Sequence, residues 1–224
     1  SLEMRLSTAT SAIAAAGSGA IDDQVEGIHL QPMPRRALPQ FLATYAAERF
    51  CNAEAEQLRS SLRAYFDSAA ATAESVKAAL EFLGRQIILC ERREGFTGSL
   101  SLNEQLRRHV ETHVAGKDRT LTPIVATQNN YRLNIFNGDT GLLLEMNGGL
   151  FAVFMSAEGE IRRINAAGFG GWEIAYALTI HKSQGSEYQD VFVVMGASAP
   201  TDDHRLLYTA LTRSRQTATV LKLI

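Results

Sequence analysis

The chain has 224 residues, of which 46% are hydrophobic, and its formal net charge is −2. This length suits one large domain or two small ones, and the hydrophobic share is enough to build real cores, so we expect a globular protein. The charge balance excludes a broadly cationic coat for nucleic acid, although a local groove can still bind a strand.

Neither export nor membrane insertion is predicted. The sequence has no run of about eighteen apolar residues, and its N-terminus lacks a cationic segment followed by an uninterrupted apolar stretch. The two cysteines, Cys51 and Cys90, are too few for a disulfide framework or a four-cysteine zinc site. We therefore expect a cytoplasmic protein with core thiols and no membrane partner.

The first part of the chain predicts helices. Residues 1–40 contain several glycines and prolines and are interpreted as an N-terminal segment and connector. Apolar residues at helical spacing then predict helices over residues 41–50, 53–66 and 73–83. We assign residues 41–120 to a helical region that leads into the first part of a sheet domain.

From residue 86 the pattern favours strands. Residues 87–90 are a continuous apolar run, typical of a strand buried on both faces of a parallel sheet, and a helix is predicted over residues 102–114. Tight-turn sequences then separate four short predicted strands over residues 123–127, 141–145, 150–155 and 161–164. These strands predict a small antiparallel barrel, which we place at residues 121–172.

The last part of the chain, residues 173–224, is predicted to resume the sheet. Strands are predicted over residues 172–180, 191–195 and 217–223, with a helix over residues 201–213 between the last two. Alternating strands and helices indicate an open, mostly parallel α/β domain.

The most distinctive segment runs from Thr179 to Val191 and reads TIHKSQGSEYQDV. An apolar strand breaks there into a polar turn that contains a glycine and returns to a second apolar strand. Ligands bind at the carboxyl ends of strands in open α/β sheets, so this segment suggests phosphate and sugar recognition. Taken alone, it is equally compatible with an ordinary polar loop.

Four stretches together resemble a known family. ALTIHKSQGSEYQDVFVV and LLYTALTRSRQ are similar to the last two motifs of superfamily 1 DNA helicases of the 5′→3′ type, and most of all to the RecD family. IILCERREG with LNE, and NYRLNIFNGDTG, fit the same family in the same order. The resemblance covers about residues 80–224, and it implies a RecA-like motor domain with an inserted SH3-like barrel.

The resemblance also implies which residues meet the nucleotide. Arg213 matches the arginine finger and Arg93 a second arginine, and both are expected on the γ-phosphate of ATP. Gly185 and Glu187 match the positions that approach the nucleotide, with the carboxylate on the ribose. Arg93, Glu187 and Arg213 are thus expected to converge on one pocket. The structural alternatives are a helix-terminal arginine favoured by the helix dipole and surface pairing of Arg93 with neighbouring glutamates.

For DNA, the resemblance implies backbone contacts from Thr179, His181 and Ser183, whose hydroxyls and imidazole hold phosphates without reading bases. Asn103 and Tyr131 are further candidates. Asn103 has the alternative of capping its helix, and Tyr131 that of packing in the core of the barrel.

The sequence lacks the phosphate-binding loop that an ATPase site requires. The only Gly-Lys pair, Gly116-Lys117, has Glu111 where a phosphate-binding loop needs its first glycine. ATP and Mg²⁺ are therefore expected to be held mainly outside this chain. No metal site is predicted, since His109 and His113 lie one helical turn apart without a third ligand.

The resulting prediction is the C-terminal motor domain of a 5′→3′ DNA helicase that acts in recombination and double-strand-break repair, inactive as a fragment. Single-stranded DNA is the expected partner, together with RecB-like and RecC-like subunits if the parent protein belongs to a complex. Two alternatives stay open: a non-catalytic interaction module of the same fold, and a related helicase acting on RNA or in conjugation.

Overall fold

The computed structural model describes residues 27–67, 73–156, 158–196 and 204–224. The predicted N-terminal segment lies largely outside these residues. The chain divides into two compact units. The parallel-sheet unit contains the described residues up to 39 together with residues 84–102 and 177–224, and the antiparallel-sheet unit contains residues 40–83 and 103–176.

Five α-helices and ten strands make up the regular structure of the described residues. The helices are α1 Leu38–Phe50, α2 Ala53–Asp67, α3 Ala73–Leu83, α4 Ser99–His113 and α5 His204–Leu211. The strands are β1 Ile28–Met33, β2 Gln86–Cys90, β3 Thr122–Ala126, β4 Thr140–Met146, β5 Gly149–Met155, β6 Ile161–Asn165, β7 Trp172–Ile174, β8 Ala177–Thr179, β9 Tyr188–Met195 and β10 Ser214–Leu223.

The three helices predicted in the first part of the chain are confirmed. α2 begins where Asn52 accepts a hydrogen bond from the backbone N–H of Ala55 at 2.8 Å, an N-cap that satisfies a donor at the helix start. α2 and α3 pack against each other, and both contact β4. They are therefore a helical layer on the antiparallel sheet rather than a lead into the parallel one.

All neighbouring strands in the parallel-sheet unit run parallel, in the order β1-β10-β9-β2-β8. Four of the five residues of β2 are buried, as its unbroken apolar sequence predicts for a strand covered on both faces. Pro32 is tolerated because β1 lies at the edge of the sheet, where a missing N–H breaks no ladder. The expected open parallel sheet is confirmed.

The second sheet is antiparallel, in the order β6-β5-β4-β3-β7. The four predicted short strands are all present. The predicted boundary at residue 172 differs from the structure, because Trp172–Ile174 pairs with β3 and the parallel sheet resumes only at Ala177–Thr179. β6 and β7 are the two end strands of this order, so the structure shows an antiparallel sheet, and its closure into the predicted barrel stays a prediction.

Buried polar groups fix the helical layer of the antiparallel-sheet unit. The side chain of Arg59 is buried and donates to the backbone oxygens of Thr120 at 3.2 Å and Phe50 at 2.7 Å. The ring of Phe50 lies edge-on to Tyr176 at 4.8 Å. Complete burial raises the pKa of Tyr176 to about 12, and its hydroxyl is 3.4 Å from that of Thr122. The layer is thus joined to the start of β3 through its interior.

In the described residues, no helix is both long and apolar enough to span a bilayer. The same residues contain no group of three or more histidine, cysteine or acidic side chains suited to a metal ion.

Candidate nucleotide and DNA site

The segment that links β8 to β9 runs from the side of the parallel sheet where the strands end to the side where they begin. We call these two sides the carboxyl edge and the amino edge, which are distinct from the edge strands of the sheet. β2 pairs with both strands, and its Cys90 is paired in register with Thr179 of β8 and with Val194 of β9. Thr179 therefore lies at the carboxyl edge of the sheet, whereas residues 185–187 precede β9 at the amino edge. The candidate residues of this motif thus form two groups.

Arg213 lies at the amino edge, in the turn between α5 and β10. Its Nε donates to Thr209 O at 3.2 Å, its Nη1 to Ser186 O at 3.3 Å and its Nη2 to the Thr212 hydroxyl at 3.2 Å. Thr209 belongs to the last turn of α5, so the cation also satisfies a helix carbonyl where the dipole favours positive charge. Arg213 therefore does have the structural role at the end of a helix that the sequence analysis names as its alternative.

The bonds of Arg213 leave part of its donor capacity unused. All three acceptors are neutral, and no carboxylate pairs with it among the residues that the structure describes. A guanidinium carries five N–H groups, so one remains on each terminal nitrogen. Two such donors match the paired contact that a phosphate accepts. The side chain is only partly buried, which leaves these donors a route to a ligand.

Gly185 leaves the backbone accessible at the same edge. Its φ is +86°, a region in which residues with a side chain are strained, and a Cβ built there would meet nothing within 4 Å. The glycine is therefore required by the backbone conformation and not by crowding. The open space beside it suits a ligand that contacts the main chain.

Glu187 is exposed at this edge and pairs with Arg215, with 2.8 Å between Oε2 and Nε. The sequence analysis did not anticipate this pairing. Both side chains are more than half exposed, so the ion pair adds little to stability. It does hold the Glu187 carboxylate near the turn that contains Gly185.

At the carboxyl edge, Thr179 is partly buried and His181 is exposed. The Thr179 hydroxyl accepts a bond from the N–H of Lys182 at 3.3 Å, and the His181 side chain is exposed. Ser183 differs, because its side chain is completely buried and its hydroxyl donates to Ile180 O at 2.8 Å. A buried hydroxyl used in this way cannot reach a DNA phosphate. We therefore correct the assignment of Ser183 to a structural one.

Arg93 does not join Glu187 and Arg213. It follows the carboxyl end of β2, while Glu187 and Arg213 precede the amino ends of β9 and β10. The expected convergence of these three residues on one pocket is therefore wrong for this structure. Parallel strands place residues before and after them at opposite edges of the sheet, and the sequence pattern alone did not specify the edge.

The loop after β2 lies over the carboxyl edge. The Glu91 carboxylate accepts a bond from the N–H of Gly196, just past β9, at 3.2 Å. The Arg35 guanidinium, just past β1, lies 4.5 Å from the centre of the Phe96 ring. Sequence reasoning missed Arg35, because its segment was interpreted as a connector. This edge thus gathers cationic side chains from the ends of several strands.

The two remaining candidates belong to the antiparallel-sheet unit. Asn103 lies inside α4, which begins earlier than predicted at Ser99, so it does not cap the helix. Its Nδ2 donates to Ile174 O at 2.9 Å. Tyr131 is 78% exposed, which excludes its alternative of packing in the core of the barrel, and its ring lies edge-on to the exposed Phe136 at 6.1 Å.

Comparison with known proteins finds similarity to helicases. The UvrD-like helicase C-terminal domain family matches residues 174–221. The RecBCD enzyme subunit RecD of Mycobacterium tuberculosis is 36% identical over an alignment of 152 residues that covers 64% of this chain and 26% of that protein. The chain is thus similar to RecD-like superfamily 1 DNA helicases, and its residues 174–221 match a helicase C-terminal domain.

Other similar proteins share less of this RecD-like chain. The ATP-dependent RecD2 DNA helicase of Deinococcus radiodurans is 37% identical over 101 residues, covering 45% of this chain and 14% of that protein. A crystal structure of Bacteroides Pif1 bound to single-stranded DNA has a TM-score of 0.36 and 15% identity, and covers 68% of this chain and 46% of that chain. The chain spans about a quarter of the length of the Mycobacterium tuberculosis relative.

Proposed function

We propose that this chain is the C-terminal motor domain of an ATP-dependent 5′→3′ DNA helicase of the RecD type that acts in recombination and double-strand-break repair. The observation that carries the proposal is the guanidinium of Arg213. It is bound by neutral acceptors, retains N–H donors and lies beside Gly185 and Glu187 at one edge of a parallel sheet. In this proposal the parallel sheet is RecA-like, and the antiparallel sheet is the inserted SH3-like barrel.

The amino edge is the proposed nucleotide face. Phosphoryl transfer develops charge on the peripheral oxygens of the γ-phosphate, and a planar guanidinium offsets it with paired donors. Arg213 supplies that group, the backbone at Gly185 approaches the nucleotide, and the Glu187 carboxylate accepts a hydrogen bond from the ribose. The described residues offer no magnesium cluster, so we expect Mg²⁺ and most phosphate contacts to come from outside this chain.

The carboxyl edge is the proposed path of single-stranded DNA. Thr179 and His181 contact backbone phosphates there, which binds the strand without reading its sequence. Arg93 joins this group in place of its expected role at the γ-phosphate, because it lies beyond the carboxyl end of β2. Cations on a strand path add affinity that falls with salt.

Tyr131 is a proposed platform for bases, and Phe136 extends it. Both rings are exposed, and the loop that carries them is held by paired backbone bonds between Asn130 and Ile135 at 2.7 and 3.1 Å. A fixed aromatic surface stacks on any base, which suits movement along DNA of any sequence. Asn103 is left out, since its amide already supports Ile174.

Partners are proposed from the relatives. RecD is named as a subunit of the RecBCD enzyme, whereas the Deinococcus radiodurans relative is named as a helicase in its own right. We propose single-stranded DNA as the common partner, with RecB-like and RecC-like subunits if the parent protein is of the first kind.

The direct test is unwinding by the complete protein that contains this chain. We expect ATP-dependent displacement of a strand from duplex DNA with a 5′ tail, and little displacement with a 3′ tail or on RNA. The isolated chain should bind single-stranded DNA but show no DNA-stimulated ATP hydrolysis. Appreciable turnover by the isolated chain, or unwinding only from 3′ tails, would contradict the proposal.

A further inference from the structure

The hydroxyl of Tyr188 is a buried polar group that the proposed nucleotide face does not use. Tyr188 is the first residue of β9, directly after Glu187, and only 6% of it is exposed. Within the part of the chain that the structure describes, its hydroxyl has no hydrogen-bond partner. Buried polar groups in folded proteins are nearly always satisfied, so an unsatisfied one calls for a physical reason.

Tyr188 is fixed against Arg213 through the backbone. The N–H of Tyr188 donates to the carbonyl of Arg213 at 2.8 Å, and Tyr188 is paired in register with Ser214, the next residue along. Burial raises the pKa of Tyr188, whereas the Ser186 side chain, whose approach does not meet the geometry of a hydrogen bond, and the charge of Arg213 lower it.

The bonds that Arg213 makes in this structure indicate why the phenolic oxygen of Tyr188 would be useful as a further acceptor. Nη1 is held by the carbonyl of Ser186, and Nε by that of Thr209. A guanidinium that turns toward a phosphate outside the protein gives up part of this support. It then needs another acceptor on the protein side to fix the angle of its plane, since a misplaced group stabilises the transition state poorly.

We propose that Tyr188 is a positioning residue for Arg213, and that its phenolic oxygen accepts a hydrogen bond from the guanidinium when a nucleoside triphosphate occupies the amino edge of the parallel sheet. This inference rests on the proposed function. The Tyr188 hydroxyl, which is unsatisfied in this structure, then gains its hydrogen bond only in the nucleotide-bound state. Tyr188 itself does not touch the nucleotide, because its side chain is buried.

Tyr188→Phe is the appropriate change, because it removes the hydroxyl and keeps the ring. In the complete protein we expect DNA-stimulated kcat to fall by about 10- to 100-fold, the usual effect of losing a hydrogen bond to a charged group. KM for ATP should stay within about twofold. In an Arg213→Ala background, Tyr188→Phe should cause no further loss, because the two residues act as one unit.

Stability provides an independent readout on the isolated chain. Removing an unsatisfied buried hydroxyl should leave the thermal midpoint unchanged or raise it by about 2–4 °C. A purely structural tyrosine would instead lower the midpoint on losing its hydroxyl. Tyr208→Phe, at a partly buried tyrosine in α5, is the matched control and should change neither turnover nor midpoint.

The outcomes separate this inference from the proposed function. If Arg213→Ala abolishes turnover while Tyr188→Phe leaves kcat intact, or if Tyr188→Phe lowers the midpoint, the positioning role is overturned and the proposed function survives. If the wild-type protein hydrolyses no ATP with DNA present, both are overturned.

Discussion

The two units use arginine side chains in different ways. In the antiparallel-sheet unit, Arg59 is 1% exposed and is held by Glu56 and by two backbone carbonyls. In the parallel-sheet unit, Arg213 is partly exposed and is held by neutral acceptors alone. The first arrangement stabilises a fold, whereas the second is the one that we propose for binding a nucleotide. The difference teaches that arginines of one chain differ in burial and in the charge of their partners, which their neighbours in sequence do not specify.

The largest expected effect is that of Arg213→Ala on turnover. Loss of an arginine finger typically slows phosphoryl transfer by about 10³- to 10⁵-fold, or roughly 4–7 kcal/mol of barrier. Steady-state ATP hydrolysis with saturating single-stranded DNA measures it in the complete protein. Arg215→Ala is the control and should cost less than about tenfold, since its ion pair is exposed. Equal losses in both variants would remove the distinction between the two arginines.

The next largest effect is that of Arg59→Ala on stability. It leaves the buried carbonyls of Thr120 and Phe50 without a donor, so we expect a loss of about 2–5 kcal/mol in the free energy of unfolding. Urea denaturation measures this loss. Arg108→Ala removes an exposed ion pair with Glu104 and should cost less than about 1 kcal/mol. A small effect of Arg59→Ala would show that the buried guanidinium is not holding the helical layer.

Tyr131→Ala tests whether the antiparallel-sheet unit also binds DNA. Stacking of a base on an exposed ring is worth about 1–3 kcal/mol, so affinity for single-stranded DNA should fall accordingly. Fluorescence anisotropy with a labelled oligonucleotide measures it. Tyr131→Phe keeps the ring and loses only the contact of the hydroxyl with Asn129, so it should bind like the wild type. Weakening by Tyr131→Phe alone would point to the hydroxyl instead of the ring.

Arg93→Ala distinguishes the two edges of the parallel sheet. As a contact to one phosphate, Arg93 should contribute about 0.7 to the slope of log affinity against log salt concentration for single-stranded DNA. Binding titrations at several salt concentrations measure that slope. At saturating DNA, turnover should stay near the wild-type value. A drop comparable to that of Arg213→Ala would restore Arg93 to the nucleotide.

The smallest expected effect is on the pH dependence of stability. Partial burial, and next the charge of His113, lower the pKa of His109 in the folded state, and the two rings stack at 4.0 Å. The unfolded chain therefore binds more protons than the folded one as pH falls below about 6.5, and stability declines in that window. Thermal midpoints between pH 7 and 5 should fall less steeply in His109→Gln. His29→Gln, at an exposed site on β1, should follow the wild-type curve.

Much of the fold was predictable because its signals are local. Helical spacing located α1 to α3, and tight-turn sequences located β3 to β6. The position of Trp172–Ile174 was not predictable in this way. A short strand after a glycine-rich turn fits either sheet, and only its pairing with β3 decides the matter.

The candidate site was predictable as a set of residues but not as an arrangement. Arg213, Gly185 and Glu187 lie at one edge, because Arg213 and Glu187 directly precede β10 and β9 and Gly185 lies in the turn before β9, whereas their role at a nucleotide stays a prediction. Ser183 and Arg93 were misplaced. Whether a hydroxyl in a turn faces inward, and at which edge a loop residue lies, depend on contacts with distant strands that periodicity does not encode.

The segment between Thr179 and Glu187 has a consequence for how a motor of this kind would bind its two ligands. It is a single short stretch of backbone with one end at each edge of the sheet, and the buried Ser183 fixes its middle. In the proposed function, nucleotide and DNA would therefore be bound at the two ends of one short segment of main chain that is anchored at Ser183.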